Sequence, residues 1–334
     1  ALRDLIARRV PLFEFAIRAE LAHHKLDTAE GRVNALNAAA PLVAQIRDKS
    51  LRPEYTRLLA GWLGVEVEIE NLPDAPKVPG WRCIPDGSLR NNGVEYVFRG
   101  PLGGSAAVSR LSKLEEALEG QGTFGFRTSV HVHVDARDMP WSKVCDLVTL
   151  YAMVEPYLFS VCGQEREESI YSLSLYRGQN QISRLLDIFK DGPDRLRYSS
   201  WEKYSAINLQ SLVERGAIEF RGHEGTCDKA RLVNWINHLL CLKQFVLDPN
   251  KYISDIPTLL STEGSKAMLK YVFGDLVREN KIHANDSSMK IFQGVWVAEE
   301  LLFNSRLREV HDLIVSHNQG ERQLSKIKDK LCAD

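Results

Sequence analysis

The stretch that decides the fold is Gly64-Val-Glu-Val-Glu-Ile-Glu70, in which apolar and acidic residues alternate strictly. Successive side chains of a β-strand point to opposite faces, so the alternation predicts a strand with one apolar and one acidic face. Glu66, Glu68 and Glu70 would then lie within about 14 Å of one another on the same face. Three carboxylates this close repel one another, and we therefore expect a cation or basic side chains opposite them.

Three other segments, at 94–98, 128–135 and 217–221, repeat this alternation. Their polar positions are occupied by Glu95, Ser129, His131, His133, Asp135, Glu219 and Arg221. A single strand with a polar face is ordinary, because antiparallel sheets commonly expose one face to water. Solvated faces usually mix Lys, Thr, Ser and Gln, however, whereas these four strands are enriched in Glu and His. If the four strands share one sheet, that composition indicates a site.

Composition divides the chain near Gly64, because residues 1–64 hold 12 alanines and the other 270 residues hold 13. The pattern predicts helices at 2–24, 28–47, 53–63, 107–119, 141–162 and 228–247, and a helical tail from about 256. It predicts strands at 65–70, 94–99, 126–135, 170–176 and 217–222. We therefore expect an α+β chain with a helical segment at 1–63, a catalytic domain at 64–250 and a helical extension at 251–334.

The overall composition excludes several classes of protein. The 43 basic and 44 acidic residues nearly cancel, so no net field favours nucleic acid, and we expect no nucleic-acid partner. The six cysteines form no Cys-x-x-Cys motif, which excludes a zinc ribbon or redox pair and favours a reducing cytoplasm. No run approaches the roughly 18 apolar residues of a transmembrane helix, so we expect no membrane partner.

The connections between strands hold further candidate residues. Asp86-Gly-Ser-Leu-Arg90 is a turn-rich stretch, and its Asp-Gly pair is an ordinary turn signal. Lys203 is either a phosphate contact or a surface lysine. Residues 223–226 follow Arg221 as a loop that could close the site.

Glu, His and Arg on one face suggest two kinds of chemistry. Mg²⁺ takes carboxylate oxygens and keeps substrate phosphates as further ligands, while Arg binds phosphate or carboxylate with two hydrogen bonds. That combination suggests nucleotide-dependent chemistry at a carboxylate. Alternate strand positions can also place two imidazoles on one ion, so His131, His133 and Glu219 could instead hold a transition metal for hydrolysis.

The middle of the chain resembles the phage and bacterial amidoligases, a branch of the carboxylate-amine ligases related to glutamine synthetase and glutamate-cysteine ligase. The resemblance covers about residues 64–245 in colinear order. It is carried by Gly64-Val-Glu-Val-Glu-Ile-Glu70, Trp81, Asp86-Gly-Ser-Leu-Arg90, Gly93-Val-Glu-Tyr-Val97, Pro101-Leu-Gly103, Ser129-Val-His-Val-His-Val134, Tyr151, Glu155, Lys203-Tyr-Ser-Ala-Ile-Asn208 and Ile218-Glu-Phe-Arg-Gly-His-Glu-Gly-Thr226.

The resemblance implies a curved antiparallel sheet of the glutamine-synthetase type, with helices on its convex face and ATP with Mg²⁺ or Mn²⁺ on its concave face. ATP would phosphorylate a carboxylate of an amino acid or peptide, and an amine would then attack the acyl phosphate to give an amide. Matching positions imply metal or phosphate contacts for Glu66, Glu68, Glu95, His131, His133 and Glu219.

The same matching positions imply catalytic roles for Glu219, for Arg221 at the acyl phosphate and for Asp86 at the amine. They imply ATP contacts for Lys203, Asn208 and Arg221. The role of Glu70 stays open, because the third carboxylate of its strand could point past the sheet edge.

Residues 1–68 resemble a different family, the helical end of the polymerase domain of actinobacterial DNA primases. The matching stretches are Ala1-Leu-Arg-Asp-Leu-Ile6, Pro11-Leu-Phe-Glu-Phe15, Leu26-Asp-Thr-Ala-Glu-Gly-Arg32, Ala40-Pro-Leu-Val-Ala44, Leu51-Arg-Pro-Glu-Tyr55 and Gly61-Trp-Leu-Gly64. They contain none of the acidic catalytic motifs of a primase, so primer synthesis does not follow. A third hypothesis is a non-catalytic protein whose primase-like helices dock a replication partner. The oligomeric state stays open.

Overall fold

The computed structural model describes residues 63–279, apart from gaps at 101, 164–165, 168, 176–178, 199–200 and 203, together with the isolated positions 20, 23 and 38. The predicted helices before residue 64, the predicted tail beyond residue 279 and the candidate ATP contact Lys203 lie outside the described residues.

The described strands form one six-stranded sheet in which every neighbouring pair is antiparallel. They are β1 (Leu63–Ile69), β2 (Trp81–Pro85), β3 (Val94–Phe98), β4 (Ser129–Asp135), β5 (Ile207–Asn208) and β6 (Ala217–Glu224). Their order is β2-β3-β1-β4-β6-β5, so the alternating stretch at 64–70 supplies a central strand. The α+β prediction is confirmed for this part of the chain.

Eight α-helices are described along with the sheet. They are α1 (Gly104–Leu118), α2 (Trp141–Cys162), α3 (Gln179–Asp191), α4 (Gln210–Arg215), α5 (Lys229–Leu247), α6 (Asp255–Glu263), α7 (Ser265–Phe273) and α8 (Leu276–Glu279), with a 3₁₀ helix at Pro193–Arg197. The predicted helices at 107–119, 141–162 and 228–247 correspond to α1, α2 and α5, and the sequence pattern did not predict α3.

The core forms where the apolar face of the sheet meets helices α2 and α5. Val65 and Val67 of β1 and Val132 of β4 are fully buried, as is Phe220 of β6. Helix α2 contacts β6, helix α5 contacts β4, and the two helices pack on each other. Asp228 begins α5 by accepting the backbone N–H of Arg231 at 3.0 Å.

Helix α2 is the one described helix that is long and apolar enough to cross a membrane. Its most apolar window is 89% buried inside the fold. The apolar composition of α2 is therefore accounted for by its place in the core.

The predicted strand at 170–176 is wrong. Within 170–175, the part of this segment that the structure describes, only Leu173 forms a β-bridge, in parallel with Ser205. The chain before it is a series of turns, in which the Ser172 hydroxyl donates to the carbonyl of Arg166 at 2.8 Å. Serine side chains compete for backbone groups in this way, so the alternation of Ser with apolar residues did not produce a strand. The carboxylate of Glu155 fixes the end of the segment by accepting the Leu175 N–H at 2.8 and 3.0 Å.

A β-bulge in β6 decides which side chains reach the polar face. Val132 pairs with Phe220, but Val130 pairs with His223, so the register shifts between them. Two residues of β6, Arg221 and Gly222, thus lie opposite one residue of β4. Arg221 lies on the face of Glu219, as alternation requires and as its contact with Glu219 at 2.7 Å indicates, whereas the extra residue places His223 opposite Val130 of the core face.

The bulge also overturns the interpretation of residues 223–226 as a loop closing the site. His223 belongs to β6, is 1% exposed, and its ring lies 5.7 Å from that of Trp235 in α5. Thr226 accepts the Asp228 N–H at 3.1 Å and so leads into α5. The extra residue of the bulge turns this stretch away from the polar face, which a strict period of two cannot anticipate.

Arg166, only 2% exposed, stabilises the bulge by hydrogen bonds to its backbone carbonyls. Its Nε donates to the Gly222 carbonyl at 3.2 Å and its Nη2 to the Arg221 carbonyl at 3.1 Å. We expect Arg166→Met to lower the free energy of unfolding by about 3 kcal/mol, because it leaves buried carbonyls without donors. Urea unfolding measures this. Arg137→Met, which removes a partly exposed guanidinium bound to Asp135, should cost below about 1 kcal/mol, and an equal loss in both variants would contradict the support role.

Burial lowers the pKa of His223 to about 4, against an ordinary value of 6.5. Between these two pH values the unfolded chain binds more protons than the folded protein, so the free energy of unfolding falls as the pH drops through this window. His223 should account for about 2 kcal/mol of loss between pH 6.5 and pH 5. His223→Asn keeps a donor for the Glu224 carbonyl but does not titrate, so its urea-unfolding free energy should fall less with pH. Identical pH slopes for the two proteins would disprove this.

Candidate active site

Strand register brings the six predicted metal ligands onto one face of the sheet. Glu66 of β1 lies directly opposite His131 of β4. Glu68 lies opposite Glu95 of β3, and His133 opposite Glu219 of β6. Directly opposed residues have Cβ atoms about 5 Å apart, so these three cross-strand pairs concentrate their polar atoms in one place.

His131 lies at the centre of this cluster and is 3% exposed. Its Nδ1 lies 3.3 Å from Glu66 Oε2 and its Nε2 lies 3.5 Å from Glu68 Oε1. Nδ1 is also 3.7 Å from an oxygen of Glu95 and 3.7 Å from one of Glu219. Burial and Arg221 lower the pKa of His131, but the surrounding carboxylates outweigh them and the net shift is upward.

The carboxylates of the cluster are held differently. Burial raises the pKa of Glu66, yet hydrogen bonds and charge interactions with His131 and His133 bring it well below its ordinary value. Burial also raises the pKa of Glu219, which His131 and Arg221 bring down in the same way. Glu95, by contrast, has a pKa raised to about 7 by burial and by its acidic neighbours, Glu66 first. Among these three carboxylates, Glu95 is the one whose surroundings disfavour the charged form.

Hydrogen bonds fix the orientation of two of these carboxylates. The backbone N–H and hydroxyl of Ser129 donate to Glu68 Oε2 at 2.8 and 2.6 Å. The Ser129 Oγ also lies 2.8 Å from His131 Nε2. Asn208 Nδ2 donates to Glu219 Oε2 at 2.6 Å, and the other oxygen of Glu219 accepts from Arg221. Asn208, a predicted ATP contact, thus reaches the cluster through Glu219.

The face opens into a cavity of about 410 Å³. Its lining residues are Glu66, Glu68, Asp86, Ser88, Glu95, Arg127, Ser129, His131, Tyr171, Trp201, Tyr204, Asn208, Gln210, Glu214, Arg215, Glu219 and Arg221. Asp86, a predicted catalytic residue, lies on the wall, where its Oδ1 accepts the N–H and hydroxyl of Ser88 at 2.8 Å each.

His133 and Glu70 do not line the cavity. His133 lies beside it, with Nδ1 3.2 Å from Ser211 Oγ. Gly64 faces it across the ladder, and a Cβ at Gly64 would lie 3.3 Å from the His133 Cβ, so glycine gives the imidazole its room. Glu70 lies at the end of β1, where its Oε1 accepts the Arg90 N–H at 2.8 Å.

One wall of the cavity is aromatic, and sequence reasoning did not find it. The rings of Tyr171 and Tyr204 meet edge to face, with centroids 5.7 Å apart. The Arg127 guanidinium lies 5.8 Å from the centroid of Tyr171 and donates to the Ser88 carbonyl at 3.1 Å. Arg127 and Tyr171 come from turns that no local pattern in the sequence marks, whereas Tyr204 lies in one of the stretches that carry the family resemblance.

Arg215, the last residue of α4, was also missed. Its Nη1 donates to Glu66 Oε1 at 2.7 Å and lies 3.1 Å from His133 Nε2. A cationic side chain against the acidic strand was expected, but nothing in a six-residue helix identified this arginine.

The donor set fits divalent cations. Two groups, Glu66–His133–Glu219 and Glu66–Glu95–His131, each offer three ligand atoms within 4.8 Å of one another, and both use Glu66. The carboxylate oxygens suit Mg²⁺ or Mn²⁺, and the one imidazole in each group also suits a transition metal such as zinc. The two imidazoles, expected together on one ion, fall in different groups. Beside them, the buried Nε of Arg221 has no hydrogen-bond partner among the described residues.

Residues 74–243, about half of the chain, match the family described as "Putative amidoligase enzyme". The chain belongs to this amidoligase family. The resemblance seen in the sequence is thereby confirmed. The matched range holds Asp86, Glu95, His131, His133 and Glu219, whereas Glu66 and Glu68 precede it.

Residues 13–68 match the "DnaB-helicase binding domain of primase". Over 64 residues, 19% of this chain and 10% of the relative, the chain is 66% identical to the DNA primase of Mycobacterium tuberculosis H37Rv. It is 43% identical over 94 residues (28% and 15%) to that of Mycobacterium leprae, and 48% identical over 65 residues (20% and 10%) to that of Streptomyces coelicolor. The chain thus spans about a tenth of the length of most of these relatives. The primase resemblance is confirmed, and its matched domain is the helicase-binding one.

Proposed function

We propose that this protein is an ATP-dependent carboxylate-amine ligase that requires Mg²⁺ or Mn²⁺ and acts on an amino acid or peptide. The observation that supports it is the face of four glutamates and two histidines, all buried except the partly exposed Glu95, which opens into a cavity lined by three arginines. Such a face can hold divalent cations, and the arginines supply charge for phosphate oxygens beside them.

The cluster residues would hold the metal, which would neutralise charge on the transferring phosphoryl group. The predicted ligands are Glu66, Glu68, Glu95, His131, His133 and Glu219. Arg221 lies on the same face and would contact the phosphate or acyl phosphate. Asn208 and Lys203 would contact ATP, and Asp86 on the opposite wall would receive the amine.

The proposed reaction has two steps. A substrate carboxylate oxygen attacks the γ-phosphorus of ATP, the bond from that phosphorus to the β–γ bridging oxygen breaks, and ADP leaves. The amine nitrogen then attacks the acyl carbon, the bond from carbon to the phosphate oxygen breaks, and the nitrogen loses a proton as amide and phosphate form. A cavity shielded from water favours amine attack over hydrolysis of the acyl phosphate.

A metal-dependent hydrolase is the second candidate, favoured by the proximity of His133 to Glu66 and Glu219 in one ligand group. Zinc retained through purification, without any effect of nucleotide on stability, would support that reading over the ligase.

Mg²⁺ together with a non-hydrolysable ATP analogue should raise the melting temperature of the full chain by roughly 5–10 °C at one hundred times Kd. Glu219→Gln should abolish the rise, because it removes a ligand charge while keeping the side-chain shape. Glu224→Gln is the matched control, since Glu224 lies on the same strand but pairs with Arg231 outside the cavity, and it should keep the rise. Equal shifts in all three proteins would place nucleotide elsewhere. Given binding, hydroxylamine should trap the acyl phosphate as a hydroxamate with release of ADP. An enzyme that consumes no ATP with any carboxylate–amine pair, in the presence of Mg²⁺ or Mn²⁺, would argue against the ligase.

We also propose that residues 13–68 dock a DnaB-type replicative helicase, and this rests on the family match of that segment. The full chain should bind an actinobacterial DnaB helicase in a pull-down, and M. tuberculosis primase should compete with it for the same surface. Binding that the primase does not displace, or no binding, would remove this proposal. We expect both activities in the cytoplasm, where ATP and helicase are present.

A further inference from the structure

Arg215 occupies the atoms that one candidate metal group would use. Its Nη1 lies 2.7 Å from Glu66 Oε1 and 3.1 Å from His133 Nε2, and these two residues form a ligand group with Glu219. His133 Nε2 also lies 3.2 Å from Glu66 Oε1, so the Nη1 group stands where the imidazole and the carboxylate face each other.

A guanidinium and a divalent cation cannot share these atoms. A metal ion needs the oxygen and nitrogen at about 2.0–2.6 Å, a space that the Nη1 group fills. Arginine also keeps its charge at any ordinary pH, so it cannot become neutral beside the ion and repels it instead. Metal binding by Glu66 and His133 therefore requires Arg215 to leave.

The position of Arg215 allows it to leave without disturbing the core. Its side chain is 53% exposed, whereas that of Glu66 is 8% exposed. The backbone is anchored independently, because the Gly216 N–H donates to the Leu212 carbonyl at 3.0 Å and Gly216 ends α4 at a φ of 68°. The side chain lines the same cavity as Arg221, so a released guanidinium stays beside the proposed phosphate position.

We propose that Arg215 is an exchange cation: it neutralises Glu66 until a metal ion displaces it from Glu66 and His133, and it then binds an anionic oxygen of the phosphate substrate in the cavity. The identity of the anion rests on the proposed ligase function. The exchange couples the two ligands, since metal binding frees the arginine for the anion and the anion stabilises the freed arginine. By linkage each ligand then raises the affinity for the other.

The test compares full-length Arg215→Met with wild type and with Arg127→Met. Arg127 supplies the matched control, because it lines the same cavity with the same charge but donates to the Ser88 carbonyl. Mn²⁺ binding without nucleotide is followed by electron paramagnetic resonance of the free ion, and thermal unfolding in EDTA verifies that each variant is folded. Calorimetry then measures inorganic tripolyphosphate binding to Mn²⁺-saturated protein.

Arg215→Met should bind Mn²⁺ about tenfold more tightly than wild type, because the competing cation is gone, and Arg127→Met should change that affinity far less. In Mn²⁺-saturated protein, Arg215→Met should bind tripolyphosphate about tenfold more weakly. Mn²⁺ affinity that is unchanged, weakened or equal in the two variants would overturn the exchange. If Arg215→Met binds Mn²⁺ more tightly but its tripolyphosphate affinity is unchanged, the proposal that the released Arg215 binds phosphate would be overturned. If the variants contradict the exchange but the wild type binds Mn²⁺ and nucleotide, the ligase proposal stays intact. If the wild type binds no Mn²⁺, both the exchange and the ligase proposal are refuted.

Discussion

The register between β1 and β4 is the constraint on which the rest of the structure depends. It places Glu66 against His131 on one face while Val67 pairs with Val130 in the core. Because side chains alternate with a period of two, a slip of one residue would expose the valines and bury the glutamates in the apolar core. The same hydrophobic packing that stabilises the sheet therefore also selects the geometry of the polar face.

The charged groups of the polar face interact as a cluster and not as separate ion pairs. His131 attracts four carboxylates at once, and Arg215 and Arg221 approach from the β6 side. Burial and the neighbouring carboxylates, Glu66 first, raise the pKa of Glu95 to about 7, although His131 acts in the opposite direction. A buried cluster in this condition binds additional positive charge readily, since each added cation relieves repulsion among carboxylates that have already lost their water.

Local periodicity explains why much of the face could be predicted from the sequence. Alternation marks β1, β3, β4 and β6, and one shared sheet brings their glutamates and histidines together. The parts that could not be predicted depend on tertiary placement. Arg127 and Tyr171 lie in turns whose positions are set by distant elements, and the bulge at Gly222 breaks the period that had placed His223 near the site. Strands β2 and β5 are too short, and β2 too rich in polar residues and proline, to give a signal.

Strand β1 also lies where the two family matches of the chain adjoin. Glu66 and Glu68 lie within the stretch that matches the helicase-binding domain of primase, yet their hydrogen-bonded neighbours are β3 and β4 of the amidoligase sheet. The primase-like match thus ends inside β1, a central strand of the sheet. Excising the primase-like portion at that boundary would remove a central strand with two acidic side chains of the cluster. In the described part of the primase-like match, the backbone of β1 is therefore hydrogen-bonded to strands of the amidoligase match.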